Sequence, residues 1–318
     1  MIIIQMENYR LTAPRYESMN YRYCGKSGLM FSEIALGFWH NFGDAADYGK
    51  CRDIVHCAFD SGITYFDLAD NYGPPYGSAE ECFGRIMADG LKTHRDEMVI
   101  ATKAGHDMWP GPYGEWGSRK HIMAAVDQSL RRMGLDYVDI FYSHRPDPRT
   151  PLQETLQALV DIVRSGKALY VGISKYPADM AAQAYDYLAA HDTPCIAYQG
   201  KYNMMVRGSE QEILPQCADR GVGYVAFSPL NQGLLTDRYL DGIPSDSRMV
   251  RSTFLDRDRD LTPEYYEFIR SVAAEAAAEG ITIAQYALRW ALRRQEVSSV
   301  IVGASSVEQL RQNLAAIR

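Results

Sequence analysis

Eight short apolar runs recur along the chain, and helical patterns separate them. The runs begin at Phe31, Ile63, Met98, Val138, Ala168, Ile196, Val222 and Val297. Most of the spacings between them suit one strand followed by one helix. Strands that alternate with helices in this way favour a parallel sheet, either covered on both faces or closed into a barrel. This alternation restricts the chain to α/β folds.

The lack of a dinucleotide fingerprint separates the two candidate folds. A doubly wound Rossmann sheet carries a G-x-G-x-x-G motif after its first strand, and no such motif follows the first strand here. The number of strand–helix units instead matches a (β/α)8 TIM barrel. No Gly/Ser linker, low-complexity run or second core divides the sequence. We therefore expect a single barrel domain over residues 1–318, with residues 1–20 as an N-terminal extension.

Two segments depart from the regular alternation. Residues 21–33 predict a β-hairpin that turns at residues 25–28, ahead of the first barrel strand. Residues 231–262 form a long polar loop between strands seven and eight, which exceeds an ordinary connection. At its end, Thr262 is a predicted helix N-cap and Pro263 the first helical residue.

Composition argues against nucleic-acid and membrane partners. The formal net charge is −7, the pI is about 5.5, and no Lys/Arg cluster stands out. The initial "MIII" is too short for a signal segment, and no 18-residue apolar run occurs. The six cysteines lack C-x-x-C spacing, which indicates reduced thiols rather than a disulfide framework or a zinc site. We expect a soluble, cytoplasmic protein without a metal site.

Polar and ionisable side chains follow the predicted strands, at the end where a barrel carries its chemistry. In strand order these positions are Trp39 and His40, residues 67–72, Lys103, His144, Ser174, Gln199 and Ser228. Some have simpler explanations: Asp67 as a helix N-cap, Lys103 as a solvated lysine, and His144 as a hydrogen-bonded histidine at a strand end. Their arrival together from separate strands favours a functional site.

Four of these residues have chemical roles that depend on one another. An ionised Asp67 inside the strand-like stretch "YFDLADNYG" needs a partner, and the Lys103 ammonium supplies one. An ammonium near the Tyr72 phenol is expected to lower the pKa of that phenol from about 10, which makes a proton donor usable near neutral pH. His144 is expected to hydrogen-bond a substrate oxygen or the phenol. Such a site protonates a carbonyl oxygen during hydride reduction, and the hydride must come from a cofactor.

Several motifs together resemble the aldo-keto reductase superfamily from about residue 20 to the end. They are "FDLADNYG", "ATKAG", "YSHRPD", "VGISKY", "VAFSPLNQGLL" and "IVGASSVEQLRQN". In detail, "NYGPPYGSAEE" and "SLRRMGLDYVDIFYSHR" resemble the bacterial L-glyceraldehyde 3-phosphate reductase group, which is similar to the voltage-gated potassium channel β subunits. The resemblance implies a catalytic tetrad with Tyr72 as general acid; its members are Asp67, Tyr72, Lys103 and His144.

The resemblance also implies NADPH/NADP+ extended across the barrel top. Ser174 and Gln199 match positions that bind the nicotinamide carboxamide, and Phe227 matches the aromatic that stacks on the ring, although core packing explains Phe227 equally well. Arg238 and Arg248 match cations near the 2′-phosphate, which favours NADPH, although loop arginines are commonly just solvated. The other matching cofactor positions are Trp39, Asp67, Ser228, Leu230, Gln232, Gly233, Ser305, Gln309 and Asn313.

Gln309 has a competing structural explanation. With Ser306 it forms an S-x-x-Q capping box at a predicted helix start, which accounts for Gln309 without any cofactor. A helix N-terminus is also a ready anion site, so the two roles are compatible.

Aromatic loop residues are expected to line the substrate pocket, namely Trp39, His40, Tyr76 and Trp109. A phosphorylated aldehyde needs a cation nearby, and Arg145 and Arg207 lie nearest in sequence to the site strands. We therefore expect an NADPH-dependent reductase of small aldehydes, of L-glyceraldehyde 3-phosphate, methylglyoxal or both.

Two other functions compete with aldehyde reduction. A redox-sensing regulatory subunit is suggested by the similarity to channel β subunits, and the motifs alone do not decide against it. A barrel hydrolase needs two carboxylates at strand ends, and only Asp67 offers itself convincingly. The resemblance also implies a homo-oligomer, either a tetramer or an octamer.

Overall fold

A computed structural model describes residues 15–245, 247–251 and 254–317. Its strands are β1 (Tyr21–Tyr23), β2 (Met30–Ser32), β3 (Ile34–Gly37), β4 (Tyr65–Asp67), β5 (Val99–Ala104), β6 (Val138–Ser143), β7 (Ala168–Ser174), β8 (Cys195–Lys201), β9 (Gly223–Phe227) and β10 (Val297–Val302). Its α-helices are α1 (Tyr48–Asp60), α2 (Ser78–Ile86), α3 (Arg119–Met133), α4 (Leu152–Arg164), α5 (Ala178–Ala190), α6 (Ile213–Arg220), α7 (Arg248–Arg251), α8 (Arg257–Asp260), α9 (Pro263–Ala278), α10 (Ile283–Leu292) and α11 (Val307–Leu314). Most of the expected N-terminal extension, residues 1–14, lies outside the described residues.

Eight parallel strands close into a barrel, with helices between them along the chain. The order around the barrel is β10, β3, β4, β5, β6, β7, β8 and β9. Strands β10 and β3 complete the ring, with Val300 opposite Ile34 and Val302 opposite Leu36. The prediction of a (β/α)8 barrel is therefore confirmed.

Side chains that alternate along the strands divide the core into two layers. Tyr65 and Tyr142 belong to the cluster inside the barrel, whereas their neighbours Phe66 and Phe141 pack in the layer beneath the helices. All four residues are fully buried. Because both faces of such strands are buried, they appear in the sequence as nearly continuous apolar runs.

The predicted hairpin is confirmed as strands β1 and β2, which pair antiparallel. It packs against the barrel interior, where the Phe31 ring lies 4.6 Å from the Tyr65 ring. The first apolar run in the sequence begins at Phe31, which lies in the hairpin strand β2, and the barrel strand β3 begins at Ile34, directly after the hairpin predicted over residues 21–33. Between the two strands the chain bends at Glu33, and the Oγ of Ser32 donates to the carbonyl of Ile34 at 2.7 Å.

The long segment 231–262 contains short helical turns and the helices α7 and α8. Several of its apolar side chains pack in one buried cluster with α9 and α10; they include Leu234, Leu235, Tyr239 and Leu255. The predicted helix start is confirmed, because the Thr262 side chain accepts from the Tyr265 backbone N–H at 3.3 Å and Pro263 is the first helical residue. The segment is thus held in place by a small core of its own.

Replacing Thr262 with Ala should lower the free energy of unfolding by about 1 kcal/mol, because the N–H of Tyr265 loses its acceptor. Thr262→Ser retains the hydroxyl and is the matched control. Urea unfolding of the two variants checks this, and equal stability of Thr262→Ala and Thr262→Ser would contradict the capping role.

Candidate active site

Adjacent strands bring three of the predicted catalytic residues to the same end of the barrel. Asp67 is the last residue of β4, Lys103 is the penultimate residue of β5, and His144 directly follows β6. Because β4, β5 and β6 are neighbours in the barrel, their carboxyl ends meet at one mouth.

Lys103 and Asp67 form a buried ion pair. The Lys103 Nζ lies 2.6 Å from Asp67 Oδ2, and the two side chains are 0% and 2% exposed. The same Nζ donates to the Leu68 carbonyl at 2.6 Å and to the Tyr72 hydroxyl at 3.3 Å. Asp67 Oδ1 accepts from Gln199 Nε2 at 2.8 Å. The ammonium thus has three acceptors and both carboxylate oxygens have donors, which offsets much of the cost of burying the charges.

Tyr72 reaches the ion pair through a tight turn. Its backbone N–H donates to the Ala69 carbonyl at 3.1 Å. The Lys103 Nζ lies 4.8 Å from the centroid of the Tyr72 ring, and the His144 ring meets that ring edge to face at 5.8 Å. The structure therefore brings all four predicted catalytic residues together.

The direction of the Tyr72 pKa differs from the sequence-based expectation. Burial, followed by the negative charges of Asp67 and Asp70, raises the pKa of Tyr72 well above its ordinary value. The expected lowering is wrong here because the Lys103 charge is offset by Asp67 while the phenolate loses its hydration. Tyr72 therefore keeps its proton at neutral pH, which is the state that a general acid requires.

His144 is held in its neutral form. Burial, followed by the positive charges of Lys175 and Lys103, lowers the pKa of His144 well below its ordinary value. A neutral imidazole has one donor and one acceptor nitrogen, so it can donate to a carbonyl oxygen. Its Nδ1 has no hydrogen-bond partner among the described residues.

The residues predicted for the nicotinamide lie on three consecutive strands. Ser174 ends β7 and is fully buried, and its Oγ lacks a hydrogen-bond partner within the described part of the chain. Gln199 on β8 is also buried and directs its amide nitrogen to Asp67. Phe227, the last residue of β9, is half-buried. The free Ser174 hydroxyl fits a polar group brought by a cofactor.

The loop after β9 has an unusual backbone. Ser228, Asn231 and Gln232 are non-glycine residues in the left-handed region, with φ values of 53°, 43° and 60°. Left-handed conformations of such residues cost about 1–3 kcal/mol each and persist mainly at functional sites. Gly233 continues the turn, and Leu230 packs partly buried against the core. This curled loop carries four of the predicted cofactor positions, and its backbone N–H groups suit the binding of phosphates.

Two arginines from the segment 231–262 lie near each other and near the mouth. Arg248 is partly buried, and burial followed by the charge of Arg238 lowers its pKa. Burial and the charge of Arg248 in turn lower the pKa of His40 to about 4. Two guanidinium groups near each other concentrate positive charge, and this favours the binding of an anion.

The helix α11 is capped differently from the prediction. Ser306 accepts from the Gln309 backbone N–H at 3.1 Å, which confirms half of the capping box. The other half is wrong, because the Gln309 side chain reaches one residue further and accepts from the Ser305 backbone N–H at 2.8 Å. Asn313, in the same helix, is buried and its Nδ2 lacks a protein partner among the described residues.

Of the four predicted substrate-pocket residues, Trp39 and His40 lie together. Their rings are 3.8 Å apart, and Phe254 packs edge on against both, at 4.9 Å and 5.3 Å. Phe254 is not among the residues predicted from the sequence, although it is a lone large aromatic in the polar stretch "RSTFLDRDRD". Phe254 thus brings a described part of the segment after β9 against the residues that follow β3.

The other two predicted pocket residues have partners of their own. Tyr76 is 52% exposed and lies near Asp107, whose negative charge raises the pKa of the Tyr76 phenol. Trp109 packs against the ring of His121 in α3 at 4.8 Å. A cavity of about 480 Å³ adjoins the mouth; its lining includes His40, Asn41, Gly43, Lys50, Pro74 and Ser305.

The residues at this mouth fit a nicotinamide dinucleotide. Three predicted cofactor residues carry buried polar atoms that have no partner among the described residues, namely Ser174 Oγ, Gln232 Oε1 and Asn313 Nδ2. Across the described ranges no group of His, Cys, Asp and Glu side chains is placed to hold a metal ion. Nor does any described helix combine the length and the apolar character needed to cross a bilayer.

A closed (β/α)8 barrel with a buried Asp–Lys–Tyr–His cluster at the carboxyl ends of its strands defines a barrel enzyme. The model of the aldo/keto reductase family matches residues 33–318. The chain is 50% identical over 309 residues to L-glyceraldehyde 3-phosphate reductase of Escherichia coli K12, covering 95% of this chain and 89% of that protein. It is 36% identical over 305 residues to a probable voltage-gated potassium channel subunit beta of Arabidopsis thaliana, covering 94% and 91%.

The chain therefore belongs to the aldo/keto reductase family and is an oxidoreductase. Members of this family generally use nicotinamide cofactors. The family resemblance recognised in the sequence motifs is confirmed.

Proposed function

We propose that this protein is an NADPH-dependent reductase of small aldehydes, acting on L-glyceraldehyde 3-phosphate, methylglyoxal or both. The observation that carries the proposal is the Lys103 ammonium, which contacts the Asp67 carboxylate and the Tyr72 hydroxyl together at the barrel mouth. The 50% identical reductase of Escherichia coli supports an aldehyde as the substrate.

The chain's own residues supply the proton and the binding groups. Tyr72 donates its hydroxyl proton to the carbonyl oxygen, and the Lys103 ammonium, 3.3 Å away, stabilises the phenolate that remains. Neutral His144 donates a hydrogen bond to the same oxygen and so fixes the orientation of the carbonyl. The Trp39 and Phe254 rings, 4.9 Å apart, would shield the bound carbonyl from water.

Bound NADPH would supply the hydride that reduces the carbonyl carbon. Ser174 and Gln199 would hold the carboxamide and Phe227 the face of the ring. The preference for NADPH over NADH rests on Arg238 and Arg248, because paired guanidinium groups suit the extra phosphate. The loop from Ser228 to Gly233 and the start of α11 would hold the rest of the cofactor.

Fluorescence titration with NADPH and NADH, followed by turnover assays with a panel of small aldehydes, tests this function. We expect tighter binding of NADPH and its oxidation by at least one aldehyde. No binding of NADPH, or no turnover with any aldehyde, would contradict the proposal. Very slow turnover with tightly held cofactor would favour the redox-sensing alternative suggested by the channel β subunit relatives.

We also propose that the chain forms a single barrel domain and assembles into a cytoplasmic homo-oligomer, as the family resemblance implies. Light scattering of the purified protein measures the assembly. A particle with the mass of one chain, 35.8 kDa, would contradict the oligomer.

A further inference from the structure

The two cations expected from the sequence to serve a phosphorylated substrate are engaged elsewhere. Arg145 pairs with Glu115, donates to the Gly105 carbonyl at 2.9 Å and stacks on the Trp116 ring. Arg207 forms a two-pronged pair with Glu210, at 2.7 Å and 3.1 Å. A substrate phosphate would have to compete with a carboxylate for either guanidinium group.

Lys175 is a cation at the mouth without such a partner. It directly follows Ser174 at the end of β7, in a left-handed conformation with φ 61°, and its backbone N–H donates to the Gln199 carbonyl at 3.1 Å. Within the described ranges no carboxylate acts on its ammonium; the charges that do are those of Lys103 and Arg145. The residue is exposed to solvent, so a ligand can reach it.

The position of Lys175 relates it to the catalytic residues. Its Nζ lies 5.6 Å from the centroid of the Phe227 ring, the proposed nicotinamide shelf. Its charge is the largest one acting on both His144 and His106. Lys175 therefore adds uncompensated positive charge beside the residues that would hold the carbonyl.

We propose that Lys175 binds the phosphate group of a phosphorylated aldehyde and thereby selects such substrates over unphosphorylated ones. The inference rests on the proposed aldehyde reduction. A phosphate monoester carries nearly two negative charges at neutral pH, so it gains from a cation that has no counter-ion. The aldehyde end of the same small molecule would lie at Tyr72 and His144.

The proposal has a pH signature. The groups that face Lys175 are Lys103, Arg145, His106 and His144, together with the Phe227 ring. Although part of the Lys175 side chain reaches solvent, the protein around its ammonium removes some of its hydration, and this loss, followed by the charges of Lys103 and Arg145, lowers the pKa of Lys175 to about 8. Protonated Lys175 is the form that binds phosphate, so selectivity for the phosphorylated substrate should fall as pH rises through about 8.

Steady-state kinetics with glyceraldehyde 3-phosphate and glyceraldehyde test the proposal. In Lys175→Gln, the ratio of kcat/KM for the phosphorylated over the unphosphorylated aldehyde should fall about 10- to 100-fold, the effect of losing one charged hydrogen bond. Lys175→Arg should keep a selectivity for phosphate and lose its decline above pH 8, because a guanidinium stays charged. Lys26→Gln, in the hairpin at the far end of the barrel, is the control for loss of one positive charge.

Calorimetry with glycerol 3-phosphate and glycerol, on the protein as purified, separates this inference from the proposed function. The wild type should bind the phosphate ester more tightly than Lys175→Gln does, whether or not any aldehyde is turned over. Equal binding of the ester by the two proteins would overturn the proposal. So would a Lys175→Gln variant that loses NADPH affinity and slows both aldehydes equally, because the lysine would then serve the cofactor phosphates.

Discussion

Replacement of Tyr72 by Phe should lower kcat for every aldehyde by about 10²- to 10⁴-fold, the usual contribution of a positioned general acid. The variant removes only the hydroxyl, which lies 3.3 Å from Lys103 Nζ. The ring remains, so its contacts with the Lys103 ammonium and the His144 ring are preserved. NADPH affinity, measured by fluorescence titration, should therefore stay close to that of the wild type.

Tyr23→Phe is the matched control for this change. Tyr23 is 61% exposed in the hairpin strand β1, remote from the strand ends that carry the site. Its replacement should leave both kcat and cofactor affinity unchanged. Full turnover by Tyr72→Phe would remove Tyr72 from the role of proton donor.

Replacement of Lys103 by Met should destabilise the fold as well as abolish turnover. The variant leaves the Asp67 carboxylate buried without its 2.6 Å ammonium partner. Removing one partner of a buried ion pair typically costs about 3–5 kcal/mol. Urea unfolding should show a loss of this size, and the proton transfer from Tyr72 should fail because its phenolate is no longer stabilised.

A double variant distinguishes the structural role of Lys103 from its catalytic role. Asp67→Asn combined with Lys103→Met removes both charges, so it should regain much of the lost stability and remain inactive. Lys167→Met breaks a more exposed pair with Asp127, at 2.7 Å, and should change stability far less. If Lys103→Met unfolded like the wild type, the ion pair would not be the interaction that holds the mouth together.

The sequence predicted the fold well because barrel strands are buried on both faces. Their apolar runs and the helices between them identify the (β/α)8 barrel without any long-range information. Because the apolar run is continuous, it does not show where the hairpin ends and the barrel begins. Phe31 and Ile34 belong to one apolar run, and only the bend at Glu33 separates their two strands.

The candidate site was predictable where local chemistry demanded a partner. A carboxylate in a buried strand requires a cation, and this reasoning leads from Asp67 to Lys103. The raised pKa of Tyr72 was not predictable, because it depends first on how deeply the phenol is buried and then on how closely Asp67 and Asp70 approach it in three dimensions. Phe254 and Lys175 were not predicted either, because their roles also depend on contacts made in three dimensions.

The way the barrel closes has a consequence for how the chain is made. Strand β10, residues 297–302, completes the ring beside β3, and the Ser299 hydroxyl donates to the Ser32 carbonyl at 2.8 Å, across 267 positions of sequence. Contacts between such distant residues form late, because the entropy of closing the intervening loop opposes them. During translation, β3 and β9 therefore remain open sheet edges until residues 297–302 leave the ribosome. That interval is when the nascent chain is most exposed to aggregation and most in need of a chaperone.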